Sequence, residues 1–130
     1  MKKIWVNGCF DVLHRGHLEM LQFAKSLGQN LRVGIDSDKK VKKDKGDTRP
    51  YNNQVDRAYM LQGLNCVDEV VIFNSPEELK EMVKLYEPHT MVVGSDWKGK
   101  SIVGAENANN VVYFDRIGDY STTSILERER

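Results

Sequence analysis

A cluster of histidines and glycines near the start of the chain has the residue types and spacing of a phosphate site. Gly8 lies just ahead of the motif His14-Arg15-Gly16-His17, which holds two of the three histidines in the chain. Two imidazoles that flank a glycine can face one bound anion and donate hydrogen bonds to charge that develops on a transferring phosphoryl group. The plainer alternatives are surface or helix-capping histidines, or a zinc site, for which no third ligand of the usual kind stands nearby. We therefore expect phosphoryl chemistry at this motif.

The motif lies between a predicted strand and a predicted helix. Ile4-Trp5-Val6 is a short apolar run, and apolar residues recur with helical spacing between Leu18 and Leu27. Ligands of parallel sheets bind at the carboxyl ends of the strands, where a helix N terminus offers free N–H groups and a positive dipole end to phosphate. Gly8 and Gly16 would let the backbone approach that phosphate closely.

The rest of the chain alternates between strands and helices. Short β-branched-rich runs predict four further strands, at 31–35, 70–73, 91–93 and 111–114. Apolar spacing from Val55 to Leu64 predicts a second helix, and Ser75-Pro76-Glu77-Glu78 is typical of the start of a third. This alternation predicts an α/β fold: a Rossmann-like, doubly wound, five-stranded parallel sheet with helices on both faces.

The segment from Asp36 to Asn53 interrupts this alternation. It contains five closely spaced lysines, namely Lys39, Lys40, Lys42, Lys43 and Lys45. A run of lysines is ordinarily a solvated surface. Because this run follows the second strand, where α/β sheets bind ligands, we expect a long mobile loop that grips phosphate through lysines such as Lys43 and Lys45.

Length and charge narrow the function. The 130 residues fit one domain, and nineteen basic residues balance nineteen acidic ones. No global positive field favours nucleic acid or an anionic membrane, so phosphate binding has to be local. The opening residues lack a signal-peptide core and no apolar run approaches membrane-spanning length, so we expect a cytoplasmic protein. Cys9 and Cys66 form no C-x-x-C pair, which indicates reduced thiols.

An ordered set of motifs resembles one known family, the HxGH-motif nucleotidyltransferases of the cytidylyltransferase superfamily. The set covers nearly the whole chain and consists of residues 8–11, 14–17, Arg57, 67–70, 94–97 and 120–125. The resemblance implies a single nucleotidyltransferase domain over residues 1–130, a Rossmann-like fold and a homodimer.

The resemblance also implies which residues bind and react. His14 and His17 are expected to stabilise the transferring phosphate together with Lys43, Lys45 and Arg116. The nucleotide-binding residues would be Gly8, Cys9, Phe10, Asp11, Gly16, Gly94, Asp96, Ser121, Thr122 and Thr123. Two plainer alternatives stay open: Asp11 as a turn-stabilising carboxylate, and Arg116 in a surface ion pair. Serine and threonine at a helix N terminus are usually caps, but their hydroxyls also suit a triphosphate.

The implied reaction is an in-line displacement. An oxygen of the acceptor's phosphate attacks the α-phosphorus of a nucleoside triphosphate, and pyrophosphate leaves without a covalent enzyme intermediate. Members of the family use Mg²⁺, which we expect to be held chiefly by triphosphate oxygens and not by a protein metal site.

Two branches of the family compete for the substrates. Residues 45–50 with Arg57, and residues 102–106, resemble heptose 1-phosphate adenylyltransferase, which favours ATP and a sugar phosphate. Residues 96–100 and Arg116 resemble CTP:glycerol-3-phosphate cytidylyltransferase, although Asn65 replaces an arginine of that pattern. We favour the adenylyltransferase. A nucleotide-binding module without turnover is the alternative from another class, and the presence of both histidines and of residues 121–123 argues against it.

Overall fold

The computed structural model describes residues 1–115, in which strands and helices alternate. Their order is β1 (Lys3–Gly8), α1 (Arg15–Ser26), β2 (Asn30–Asp36), α2 (Asp38–Lys45), α3 (Gln54–Gln62), β3 (Glu69–Phe73), α4 (Pro76–Tyr86), β4 (Thr90–Gly94) and β5 (Asn110–Phe114). Two 3-10 turns, Ser95–Trp97 and Ala105–Asn107, lie between β4 and β5. The five predicted strands and three predicted helices are confirmed. Arg116, Ser121, Thr122 and Thr123 lie outside the described residues.

The strands form one parallel sheet in the order β3-β2-β1-β4-β5. This order confirms the predicted Rossmann-like fold. The strand order reverses between β1 and β4, which is the point where open α/β sheets bind their ligands. These two strands pair at Ile4↔Thr90 and Trp5↔Met91, whereas all six residues of β1 pair with β2.

Side chains that alternate along β1 fill a core on each face of the sheet. Ile4 packs with Leu21 of α1 and Leu61 of α3, and Trp5 packs with Val83 of α4 on the opposite face. All five side chains are completely buried. Helices therefore cover both faces of the sheet, as predicted. None of the helices within residues 1–115 is long and apolar enough to cross a membrane.

Helix α2 corrects the prediction of a long mobile loop from Asp36 to Asn53. The side chain of Ser37 caps this helix by accepting a hydrogen bond from the Lys40 N–H at 3.2 Å. Gly46 ends it with a φ of 100°, a backbone conformation that favours glycine. Within α2 only Val41 is buried, so the segment lacks the apolar periodicity that identifies the other helices.

Candidate active site

The two histidines of the H-x-G-H motif stack on each other at the N terminus of α1. The ring centroids of His14 and His17 are 3.8 Å apart, and the rings are inclined by 23°. His14 is the N-cap residue, and its backbone N–H donates to Nδ1 of His17 at 3.3 Å. The spacing of the motif produces this pair because the N-cap residue and the third helical residue are neighbours on the helix surface.

His17 is held in one protonation state and one tautomer. Burial, reinforced by the charge of His14, lowers the pKa of His17 to about 4, so the imidazole is neutral at neutral pH. Phe10 packs against it with the ring centroids 5.1 Å apart. Because Nδ1 accepts the His14 N–H, the ring proton lies on Nε2. The Nε2–H group is therefore a hydrogen-bond donor of fixed position.

Asp11 secures the turn that precedes α3. Its buried carboxylate accepts hydrogen bonds from the backbone N–H groups of Tyr51 and Asn52, each at 2.7 Å, and from Arg49 Nε at 3.3 Å. The backbone carbonyl of Asp11 accepts a further bond from Asn52 Nδ2 at 2.7 Å. This geometry supports the turn-stabilising role that the sequence left open, because the carboxylate is already engaged with the protein.

The buried guanidinium of Arg57 joins the segments around the site. Its Nη1 donates to the carbonyl of Cys9 at 2.9 Å and to that of Asp36 at 2.8 Å, so it bridges the loop after β1 and the end of β2. Its Nε donates to the carbonyl of Asn52 at 2.9 Å, and its Nη2 donates to the Asp38 carboxylate at 2.8 Å. A planar five-donor group suits such a junction of carbonyl oxygens.

A cleft of about 480 Å³ opens at the carboxyl ends of the strands. Its lining includes Asn7, Gly8, Cys9, Asp36, Gly94 and Trp97. The fold thus brings the end of β1 together with the ends of β2 and β4, as the topology of a parallel sheet requires. In the described part of the chain the two histidines do not line this cleft. They stand at the start of α1, which the loop after Gly8 connects to it.

The remaining predicted site residues are distributed around the cleft. Lys45 lines it from the end of α2, whereas Lys43 on the same helix is exposed and is not part of its lining in the described structure. Gly16 lies in the first turn of α1, and Asp96 lies in the 3-10 turn after β4. Phe10 is buried in the core with a φ of 50°.

The described site contains neither an activated thiol nor a protein-built metal cluster. Burial raises the pKa of the Cys9 thiol, which keeps it neutral and a poor nucleophile. Among residues 1–115, no group of three His, Cys, Asp or Glu side chains could hold a metal ion.

Sequence reasoning did not identify Asn7 and Asp36 as site residues, although both line the cleft. Asn7 directly follows the first predicted strand, and Asp36 directly follows the second. Their position at the carboxyl ends of neighbouring strands was the signal that could have found them.

A family model described as cytidylyltransferase-like matches residues 5–128. Among curated relatives, the bifunctional protein HldE of a Nitratiruptor species is 49% identical over 127 residues, 98% of this chain. The bifunctional protein HldE of Aliarcobacter butzleri is 45% identical over 127 residues, again 98% of the chain. The chain spans 27% and 26% of the length of these two relatives.

Two solved structures share the fold. The lipopolysaccharide core biosynthesis protein from Thermoplasma volcanium superposes with a TM-score of 0.69 at 24% identity, covering 93% of this chain and 99% of that one. A protein of unknown function from Archaeoglobus fulgidus superposes with a TM-score of 0.62 at 19% identity, covering 93% and 94%. At these identities the likeness extends to the fold alone.

Proposed function

The chain belongs to the cytidylyltransferase-like family and is a nucleotidyltransferase, and from this premise we propose that it transfers AMP from ATP to a heptose 1-phosphate-like sugar phosphate, releasing pyrophosphate. The observation that carries the proposal is the stacked pair of His14 and His17 at the start of α1, the helix that follows β1 in the chain. The similarity to proteins named HldE supports the sugar phosphate acceptor over glycerol 3-phosphate.

The proposed reaction is a single displacement at phosphorus. An oxygen of the sugar phosphate attacks the α-phosphorus of ATP, and the bond from that phosphorus to the bridging oxygen breaks, so pyrophosphate leaves with the bonding electrons. His17 donates from its neutral Nε2–H to a non-bridging oxygen as negative charge builds there. Lys45 supplies positive charge from the side of α2. Positioning and charge stabilisation suffice, because a phosphate oxygen is already an adequate nucleophile.

Mg²⁺ and the residues after 115 complete the proposal. Mg²⁺, when bound to the triphosphate oxygens, neutralises part of their charge. We propose that Ser121, Thr122 and Thr123 bind phosphate oxygens through their hydroxyl groups, and that Arg116 binds a phosphate through bidentate hydrogen bonds. These roles rest on the residue types and on the family resemblance.

Pyrophosphate release tests the proposed function. The purified chain is incubated with Mg²⁺, one of the four nucleoside triphosphates, and either heptose 1-phosphate or glycerol 3-phosphate. The proposal expects the fastest release with ATP and heptose 1-phosphate. Fastest release with CTP and glycerol 3-phosphate would establish the alternative cytidylyltransferase. Nucleotide binding without release for any pair would identify a module that binds without turnover.

We also propose that the protein is a homodimer and that α3 lies in the interface. Four large side chains on and just before this helix are exposed: Tyr51, Val55, Tyr59 and Met60, at 70%, 68%, 75% and 58%. All four fall within residues 51–60, and a groove of about 450 Å³ borders Tyr59 and Met60. An apolar surface of this kind is characteristic of protein interfaces.

A further inference from the structure

The carboxylate of Asp36 stands in the cleft with unused hydrogen-bonding capacity. Its side chain is 17% exposed, and its ion-pair partner is Lys40, whose Nζ lies 3.8 Å away, beyond hydrogen-bond distance. The same ammonium group makes a closer contact of 2.7 Å with Asp44. In the described part of the chain no hydrogen bond ends on the Asp36 carboxylate, so its oxygens are available to a ligand.

Asn7 supplies the complementary donors from the neighbouring strand. Its Oδ1 accepts a hydrogen bond of 2.9 Å from Nε1 of Trp5, a side chain that is completely buried. This bond fixes the orientation of the amide and leaves the Nδ2 group, with its two N–H donors, for the cleft that Asn7 lines. Gly8 pairs with Ile35 in register, so Asn7 and Asp36 flank the paired ends of β1 and β2.

A carboxylate is costly in a cleft that receives phosphates. Its negative charge repels the phosphate groups of both proposed substrates, and burial raises the pKa of Asp36 against the opposing effect of Lys40. Sugar hydroxyls offset this cost because they donate hydrogen bonds to a carboxylate and accept them from an amide. A carboxylate from Asp36 and an amide from Asn7 in the same cleft therefore fit a ligand that carries hydroxyl groups.

The position in the sheet decides between the two substrates. Nucleotides bind where the strand order reverses, which here is between β1 and β4. Asp36 lies on the other side of β1, at the end of β2 and paired with Phe73 of β3. With the nucleotide on the β4 side of β1, the acceptor would bind on the β2 side, next to Asp36. Lys45 is also close enough to Asp36 to influence it electrostatically.

We propose that Asp36 and Asn7 form the floor of the acceptor subsite and determine its specificity by reading hydroxyl groups of the phosphorylated sugar. The inference rests on the proposed function, since it assigns the sugar phosphate to one side of the cleft. The two side chains would favour an acceptor with several hydroxyl groups over a phosphate compound without them. The ribose of the nucleotide carries the same chemistry and is the competing occupant.

Calorimetry with Asp36→Asn tests the assignment. Heptose 1-phosphate and inorganic phosphate are titrated separately into the protein saturated with a non-hydrolysable ATP analogue. We expect the Kd of heptose 1-phosphate to rise by about tenfold or more, because hydrogen bonds to a charged acceptor are lost. The Kd of inorganic phosphate should stay the same or fall, because a repulsive charge has gone. Glu69→Gln is the matched control, with less than a twofold change expected for either ligand, because it makes the same carboxylate-to-amide change at the start of β3, where Glu69 pairs with Arg32 at the opposite end of the strands.

Opposite outcomes overturn the inference. If Asp36→Asn tightens both ligands, Asp36 is only a repulsive charge, and if the wild-type protein binds heptose 1-phosphate no better than inorganic phosphate, no hydroxyl is read. A rise in the Kd of ATP that is absent with 2′-deoxy-ATP would assign Asp36 to the ribose. Asp36→Ala, which removes both acceptor oxygens, serves if the asparagine variant fails to fold, and should weaken the sugar phosphate at least as much.

Turnover separates this inference from the proposed function. If the wild-type protein releases pyrophosphate with heptose 1-phosphate but Asp36→Asn leaves its Kd unchanged, the function stands and the inference fails. If the wild-type protein releases none but binds heptose 1-phosphate through Asp36, the subsite stands and the proposed function fails.

Discussion

In the proposed mechanism, His17 serves both the helix and the reaction. Its Nδ1 accepts the N–H of His14 at the start of α1, and this contact decides which nitrogen carries the proton. Burial keeps the ring neutral, so it donates as an uncharged group. The structural contact therefore sets the chemical role, and the two cannot be mutated separately by simple truncation.

Truncation of either histidine should slow turnover without unfolding the protein. We expect His14→Ala and His17→Ala each to lower kcat by about 100-fold or more, as loss of a transition-state donor does. His89 precedes β4 at the opposite end of the sheet, where its N–H donates to the carbonyl of Lys3, so His89→Ala is the matched control. Steady-state kinetics on variants of verified fold provide the measurement. A folded His14 or His17 variant with wild-type kcat would remove that histidine from the reaction.

Stability should depend on pH through His17. Its pKa of about 4 in the folded protein lies below the ordinary value of 6.5, so the unfolded chain takes up the proton first as the pH falls. The stabilising contribution is therefore complete above pH 6.5 and is lost as the pH falls through 4. Between pH 7 and pH 5 the wild-type protein should lose about 2 kcal/mol more unfolding free energy than His17→Gln, which cannot titrate.

Urea unfolding at the two pH values measures this difference. Glutamine suits the comparison because it is also a favourable third residue of a capped helix. Equal pH dependence of the two proteins would mean that His17 titrates normally in the folded state.

Among the secondary-structure elements, those with a buried apolar face were predictable from the sequence and α2 was not. Ile4, Trp5 and Val6 alternate between two cores, which is the pattern that identifies a strand. Helix α2 buries only Val41 and depends on its Ser37 cap, so its lysine-rich sequence resembles solvated coil. The position of the H-x-G-H motif at the start of a helix could be predicted because the motif is local in the sequence. The contacts of Arg57 were not, because they depend on how distant segments meet in three dimensions.

Arg57 should be a major determinant of the stability of the elements around the site. Arg57→Lys keeps the charge but lacks the planar donors that reach three carbonyls and the Asp38 carboxylate. We expect a loss of about 3 kcal/mol in unfolding free energy, because buried acceptors are left unpaired. Arg15→Lys is the control, since Arg15 has a 70% exposed side chain in an ion pair with Glu19, and should change stability by less than about 0.5 kcal/mol. Urea denaturation that found equal losses would contradict a junction role for Arg57.

Helix α2 should become more ordered when nucleotide binds. It is short, it buries one residue, and Lys45 at its end lines the cleft. Amide hydrogen exchange from Lys39 to Gly46 should slow when ATP and Mg²⁺ are added, while exchange in α4 serves as the reference. Unchanged exchange at saturating ligand would assign these lysines to ordinary solvated surface.

At the level of the whole molecule, the α3 surface should control the oligomeric state. Tyr59→Asp places a charge in the proposed interface and should convert the dimer to a monomer in sedimentation velocity. Leu85→Asp is the matched control, because Leu85 is 73% exposed on α4 and should leave the dimer intact. A wild-type protein that sediments as a monomer, or a Tyr59→Asp dimer of unchanged stability, would remove α3 from the interface.

The sheet has its shortest strand pairing between β1 and β4. These two strands share two register pairs, whereas the other neighbouring strands share five or six. Strands β1, β2 and β3 form one half of the molecule, and β4 and β5 form the other. The proposed nucleotide site lies where β1 meets β4. A bound triphosphate would therefore contact both groups of strands and link them. Its binding energy would then strengthen the weakest joint of the sheet and increase the cooperativity with which the two halves unfold.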